Sequence, residues 1–127
     1  MGSPPMNLIH ARRAAGAVAF DGGAVAVPDA LGQGPVVLGV RPEHVHVRGS
    51  AWSPPEPDGA AFDAQIDAVE IVGDQQILLL RAGATMACRV EPAFPARAGD
   101  RVHAWIDPRR VHLFDSATGS ALWHARH

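Results

Sequence analysis

Apolar and polar positions alternate in short runs along most of the chain, and Gly or Pro breaks the runs every few residues. That is the pattern of short, half-buried β-strands rather than helices. The most apolar run, Val36-Val37-Leu38-Gly39-Val40, predicts a strand buried on both faces. Arg41-Pro42-Glu43-His44 ends it, because Pro42 fixes its own φ and pushes Arg41 out of the helical region. A short strand over 44–48 follows. Residues 17–20 and 25–27 flank Asp21-Gly22-Gly23 and predict a hairpin. Phe62, Ala64, Ile66 and Ala68 share one phase of a period-two pattern, but Val69 and Ile71 fall on the other. A reversal without a turn residue predicts a β-bulge, or a strand that changes faces at a barrel corner. Gly73-Asp74 turns the chain into Ile77-Leu78-Leu79-Leu80, which reads as buried on both sides, and Ala82-Gly83-Ala84 turns it into 86–90. Loops are expected at 28–35, 49–60 and 92–100, and residues 1–13 read as an extended lead-in.

Two last strands, 101–107 and 110–115, flank Asp107-Pro108-Arg109-Arg110 and read as a closing hairpin. In that register Val102, Ala104, Ile106, Val111 and Leu113 face the core. The opposite face then carries His103, Trp105, His112 and Phe114, with Trp105 across from His112 and His103 across from Phe114. So apolar an outer face needs a cover: the N-terminal hairpin, the 49–60 loop or a second protomer. These four residues are the candidate interface. Six or more short strands with close turn signals give an all-β chain, a small antiparallel OB-like barrel. At 127 residues the chain forms one domain or two small intertwined lobes.

Composition narrows the function more than it names it. Formal net charge is −2, with 11 basic and 13 acidic residues, so there is no global attraction to nucleic acid or anionic lipid. Every basic residue apart from histidine is Arg. A chain without Lys cannot supply the phosphate-binding lysine of a P-loop, and so is not a P-loop ATPase by itself. The single Cys88 allows no internal disulfide and reads as a small buried hydrophobe on one strand face with Met86 and Val90. No apolar run reaches the ~20 residues of a membrane helix, and neither a secretory leader nor a myristoylation pattern is visible. No Gly-x-Ser-x-Gly elbow or Ser/Cys–His–carboxylate arrangement suggests an enzyme. His44-x-His46 could be half of a zinc site, but no Cys or carboxylate at ligand spacing completes it. The Arg41-Pro42-Glu43-His44 turn has two readings: an Arg–Glu pair pinning a barrel corner, or an anchor for a ligand or partner.

Four short motifs in order carry a family resemblance. Leu38-Gly39-Val40-Arg41-Pro42-Glu43-His44-Val45 resembles the "RPEH" signature in the C-terminal region of sugar- and glycerol-phosphate-type ABC importer ATPases. Residues 2–8 resemble the segment where such chains leave the ATPase domain. Val69-Glu70-Ile71-Val72-Gly73-Asp74 is similar to that family's mid-barrel hairpin. Asp107-Pro108, Val111-His112-Leu113-Phe114-Asp115 and Thr118-Gly119 resemble its closing strands. The resemblance covers nearly the whole chain and implies a transport-associated OB (TOBE, MOP-like) domain over 14–123, with a frayed tail at 124–127. It also implies a regulatory or dimerising role without catalytic, metal or cofactor residues. ATP and Mg would bind in an ATPase domain outside this chain. The implied partners are that ATPase domain, a second copy, permease subunits and a regulatory protein, at the cytoplasmic face of a membrane. A stand-alone barrel binding a small ligand or oxyanion is the alternative.

Overall fold

The computed structural model describes residues 5–14, 16–27, 34–57 and 59–124. Eleven strands form there: β1 (Asn7–Ala14), β2 (Ala17–Phe20), β3 (Gly23–Ala26), β4 (Gly34–Val40), β5 (Val45–Val47), β6 (Phe62–Val72), β7 (Gln75–Ala82), β8 (Ala84–Val90), β9 (Arg101–Ile106), β10 (His112–Asp115) and β11 (Ala121–His124). They build two antiparallel sheets, with orders β11-β10-β4-β1-β2-β3 and β5-β9-β6-β7-β8. One core lies between them, filled by residues of both, among them Ile9, Val18, Leu38, Val40, Val45, Ile66, Leu78, Leu80, Met86 and Leu113. The all-β expectation holds, and so does the two-lobed arrangement.

The lobes repeat one another. Strand order β10-β4-β1-β2-β3 in the first sheet matches β5-β9-β6-β7-β8 in the second, so β1 to β5 correspond to β6 to β10. Each lobe lends its fifth strand to the other: β4 leads through the 3-10 turn Pro42–His44 into β5, and β9 leads through Pro108–Arg110 into β10. The crossings share a sequence pattern, Val-Arg-Pro-Glu-His-Val-His-Val and Ile-Asp-Pro-Arg-Arg-Val-His-Leu. Their registers agree as well, since His46 pairs with Trp105 as His112 pairs with Gly39, and Val47 with Ala104 as Leu113 with Leu38. Proline at the first turn position fixes φ, and with no N–H to donate it cannot extend a ladder, so both crossings leave one sheet and enter the other.

Four expectations are corrected. Strands β9 and β10 are not a hairpin; the Asp107 carboxylate accepts from the Arg109 N–H at 2.9 Å, the 3-10 turn forms, and the chain changes sheets. The segment expected as a lead-in supplies most of β1, which sits between β4 and β2 with Ile9 and Ala11 buried. The alternation of apolar and polar positions over 9–12, Ile-His-Ala-Arg, was the overlooked signal. A further strand, β11, pairs with β10 and includes His124, while 125–127 lie outside the described residues. Leu79 is 38% exposed although Ile77, Leu78 and Leu80 are buried. The expected loop at 28–35 is described only at Gly34 and Pro35, which open β4. The bulge reading of β6 is right: its register with β7 shifts between Ile66 and Ala68, while on the β9 side Ile66 N–H donates to Asp100 O at 2.8 Å and Ile66 O accepts from Gly99 N at 2.6 Å.

Asn7 closes the seam between the sheets. Its side-chain amide donates to Ala87 O at 2.9 Å and its Oδ1 accepts from Ala87 N at 2.7 Å. The amide thereby substitutes for a neighbouring backbone on the outer edge of β8, which would otherwise present unpaired groups.

Candidate functional site

The two 3-10 turns meet at one end of the molecule. His44 N–H donates to Arg41 O at 2.9 Å, Arg110 N–H to Asp107 O at 3.1 Å, and Asp107 N–H to His44 O at 3.0 Å, tying one crossing to the other. Pro42 is buried, Glu43 and His44 are half-buried and Arg41 is exposed. Among the described residues no ion pair joins Arg41 to Glu43, so the pinning comes from Pro42 and these backbone bonds. The charged pair lies instead in the second turn, where Arg109 Nε reaches the Asp107 carboxylate at 3.2 Å. Burial works to raise the Asp107 pKa, but its bonds from the Arg109 side chain and backbone outweigh burial and hold it below the usual value.

Burial lowers the pKa of both His44 and His46 from 6.5, against the pull of Glu43 and Asp107 on His44 and of Asp107 on His46. Both rings are therefore held neutral where an unfolded histidine would begin to charge. As pH falls through the unfolded value the unfolded chain takes up protons first, so stability is full above that value and declines below it. The melting temperature should hold from pH 8 to 7 and drop toward pH 5.5. His46→Phe should flatten that drop, and an unchanged slope would remove His46 as its source.

The four residues expected on one interface are split between two faces. His103 pairs with Asp63 across the strands, its Nδ1 at 2.9 Å from the carboxylate. Trp105 lies opposite His46, ring centroids 5.8 Å apart. On the other sheet His112 lies opposite Gly39 and stacks with Phe114 at 6.4 Å.

Trp105 stands apart from the core cluster yet is 2% exposed. A strap from the 49–60 loop covers it, so of the three expected covers the loop is the one observed on this face. Pro54, Pro55 and Pro57 face it across a cleft of about 380 Å³. The strap is held at both ends. Ser50 Oγ and Ala51 N–H each donate to the Glu91 carboxylate at 2.6 Å, Val47 N–H donates to Ser53 Oγ at 3.3 Å, and Arg48 grips Glu56 with two bonds of 2.9 Å. Trp52, in the same loop, is 48% exposed with the Arg89 guanidinium 5.9 Å from its ring.

On the equivalent face of the first sheet the described residues place no such strap. Gly39 takes the place of Trp105; a Cβ there would meet Met6 Sδ and Phe114 Cε2, both at 2.7 Å. The Phe114 ring and Met6 fill that room from the same chain. Beyond them lies an apolar hollow of about 270 Å³ lined by Leu8, Val37, Phe114 and Gly119, with Leu8 65% exposed. Next to it on the same sheet runs a shallower groove of about 650 Å³ whose polar walls include His10, Arg12, Asp21 and Ser116. Sequence reasoning missed this face because it took 1–13 for a lead-in and placed Phe114 opposite His103.

Among the described residues no group of three or more His, Cys, Asp or Glu is placed to hold a metal ion. Cys88 is buried, its Sγ donates to Val45 O at 3.0 Å, and burial pushes its pKa up to about 12, so it is no nucleophile. No helix is long and apolar enough to cross a membrane among the described residues.

The fold has a solved counterpart in the cytoplasmic molybdate-binding protein ModG, with a TM-score of 0.64 at 14% identity, covering 89% of this chain and 98% of that one. An sn-glycerol-3-phosphate import ATP-binding protein, UgpC of Cereibacter sphaeroides, is 36% identical over 96% of this chain and 33% of its own length. The xylose/arabinose import ATP-binding protein XacJ of Haloferax volcanii is 37% identical over 72% of this chain and 25% of its own. The chain thus spans about a third or less of the curated relatives it matches. The MalK OB fold domain matches residues 2–45 and the TOBE domain residues 38–114, so the chain belongs to the TOBE-domain family.

Proposed function

We infer that this chain is the accessory, regulatory and dimerising domain of an ATP-binding subunit in an ABC importer for a carbohydrate or a glycerol phosphate. The observation that supports this most is the match of 96% of the chain to one third of an import ATP-binding protein, by a domain without Lys for a P-loop. The ATPase domain and permease subunits are then its partners, and its place is the cytoplasmic side of the membrane. Its mechanism is to hold two ATPase domains together as they open and close, and to bias that equilibrium when a regulator binds. The interlocked lobes suit the task, since the exchange of β5 and β10 ties each lobe into the sheet of the other.

The test is a chimera. This chain replaces the matching segment of the Cereibacter sphaeroides protein, and glycerol-3-phosphate uptake is measured in cells lacking the native subunit. Uptake restored above that of the truncated subunit is expected. A chimera that accumulates and hydrolyses ATP but imports no more than the truncation overturns the reading. Calorimetry with molybdate tests the oxyanion alternative; no heat of binding is expected.

A further inference from the structure

Backbone edges in the second sheet are closed one after another, until the far half of β6. Asn7 plugs the outer edge of β8 through Ala87. β9 covers β6 from Phe62 to Gln65, and the backbone of Gly99 and Asp100 takes both polar groups of Ile66. From Ala68 to Val72 the strand pairs with β7 alone, so among the described residues its other edge has no backbone neighbour. The first lobe has no such overhang. There β1 ends at Ala14, next to Arg13, its last partner on β4, whereas β6 runs on from Gln65 to Val72. The overhang is therefore more than the duplicated fold needs. Its side chains divide between two faces: Val69 and Ile71 on one, with Ile71 61% exposed, and Ala68 and Glu70 on the other, beside the exposed Leu79. Asp67 is held by Arg81 at 2.9 Å, but Glu70 and Asp74, both exposed, enter no ion pair among the described residues. Arg89 stands in the row of Glu70, two strands away beyond Ile77.

We propose that the 68–72 edge of β6 docks an extended, basic segment of a partner protein, which joins the sheet as a further strand and sets an Arg or Lys against Glu70. An unpaired edge is a template for main-chain hydrogen bonds, and every second residue along it turns its N–H and C=O outward. Those bonds supply affinity, and alternate side chains supply selectivity. Aliphatic side chains of the added strand cover Val69 and Ile71, while the alternate, basic ones lie beside Glu70. Charge selects the occupant. A second copy would set one acidic edge against another, whereas a basic strand meets Glu70 and Asp74 with opposite charge. The inference deepens the regulatory reading and rests on it for its biological use, but the edge itself can be tested without the importer.

The probe is a capped synthetic peptide, Arg-Ile-Arg-Val-Arg-Ile, titrated into the ¹⁵N-labelled full chain and followed by amide chemical shifts and hydrogen exchange. Saturable shifts are expected in β6 from 68 to 72, with exchange slowed at every second residue there and affinity in the millimolar range or better. Glu70→Lys should weaken binding by about fivefold. It should leave the melting temperature unchanged, because Glu70 is exposed. The proposal is overturned by an absence of shifts at several millimolar peptide, or by shifts that lie outside β6 and β7. It is overturned equally if a peptide with Pro in place of Val binds as well, since Pro cannot join the ladder. Equal binding of the acidic counterpart, Glu-Ile-Glu-Val-Glu-Ile, would remove the charge selection and with it the proposed occupant. Slowed exchange at 68–72 on concentrating the chain without peptide would also overturn it, by assigning the edge to a second copy. A failed peptide titration would leave the uptake chimera unaffected, so the two readings fail separately.

Discussion

Gly83→Ala should be among the most damaging single-methyl changes available in this chain. The β2–β3 and β7–β8 turns occupy equivalent places in the two lobes and press backbone against backbone where the lobes meet. A Cβ on Gly83 would sit 1.7 Å from Asp21 O, and one on Gly22 would sit 2.0 Å from Ala82 O. Both glycines have positive φ, +72° and +110°. Alanine there pays about 1–2 kcal/mol for the left-handed backbone. Parting two packed backbones adds roughly 1–3 kcal/mol more. The sum is about 3 kcal/mol, a loss of ~10 °C in melting temperature for a domain of this size. Gly73→Ala separates the two effects, because Gly73 has φ +62° but nothing within 4 Å of the added Cβ. Thermal unfolding followed by circular dichroism should show Gly73→Ala costing only the backbone part. Equal losses for the two variants would mean that the turns do not touch.

The strands themselves were legible because their signal is local. Alternation placed β2, β3 and β6 to within a residue or two, and the phase reversal after Ala68 marked the bulge. What failed was the partner of each strand. Asp107-Pro108-Arg109-Arg110 between two apolar runs reads as a hairpin turn on any local criterion, yet β9 pairs with β5 and β6. Pairing depends on where the chain goes after the turn, and the 3-10 geometry set by Pro108 with the Asp107 cap sends it to the other sheet. The clue was non-local: the same pattern of charge, proline, charge, charge or His, Val, His occurs at 41–46 and 107–112. A turn that recurs with its flanking strands points to an internal duplication, and two duplicated crossings can satisfy each other only by exchanging strands. The candidate interface failed for the same reason, since its four residues shared a face only in the hairpin that does not form.

That correction reverses the expected behaviour of Trp105. On an outer face awaiting a second protomer, Trp105→Glu would leave the monomer folded and only disperse a dimer. Under the strap it should unfold much of the chain. The ring is 2% exposed, its Nε1 has no hydrogen-bond partner among the described residues, and prolines 54, 55 and 57 face it across the cleft. Truncating a buried Trp to Ala costs about 3–5 kcal/mol, out of a total near 5–15 kcal/mol for a typical domain. Glu adds the penalty of a carboxylate beside the neutral His46 ring, and Arg109, a cation in the same cleft, is already bound to Asp107. Trp105→Ala should therefore lower the melting temperature by roughly 10–20 °C, and Trp105→Glu by more. Trp52→Ala, in the same loop but 48% exposed, should cost no more than about 1 kcal/mol, the value of a surface cation–π contact with Arg89. Melting curves of the three variants, with the near-ultraviolet circular dichroism of the folded fraction, decide the matter. If Trp105→Glu melts with the wild type and only sedimentation changes, the strap does not bury the ring and Trp105 belongs to an interface between copies.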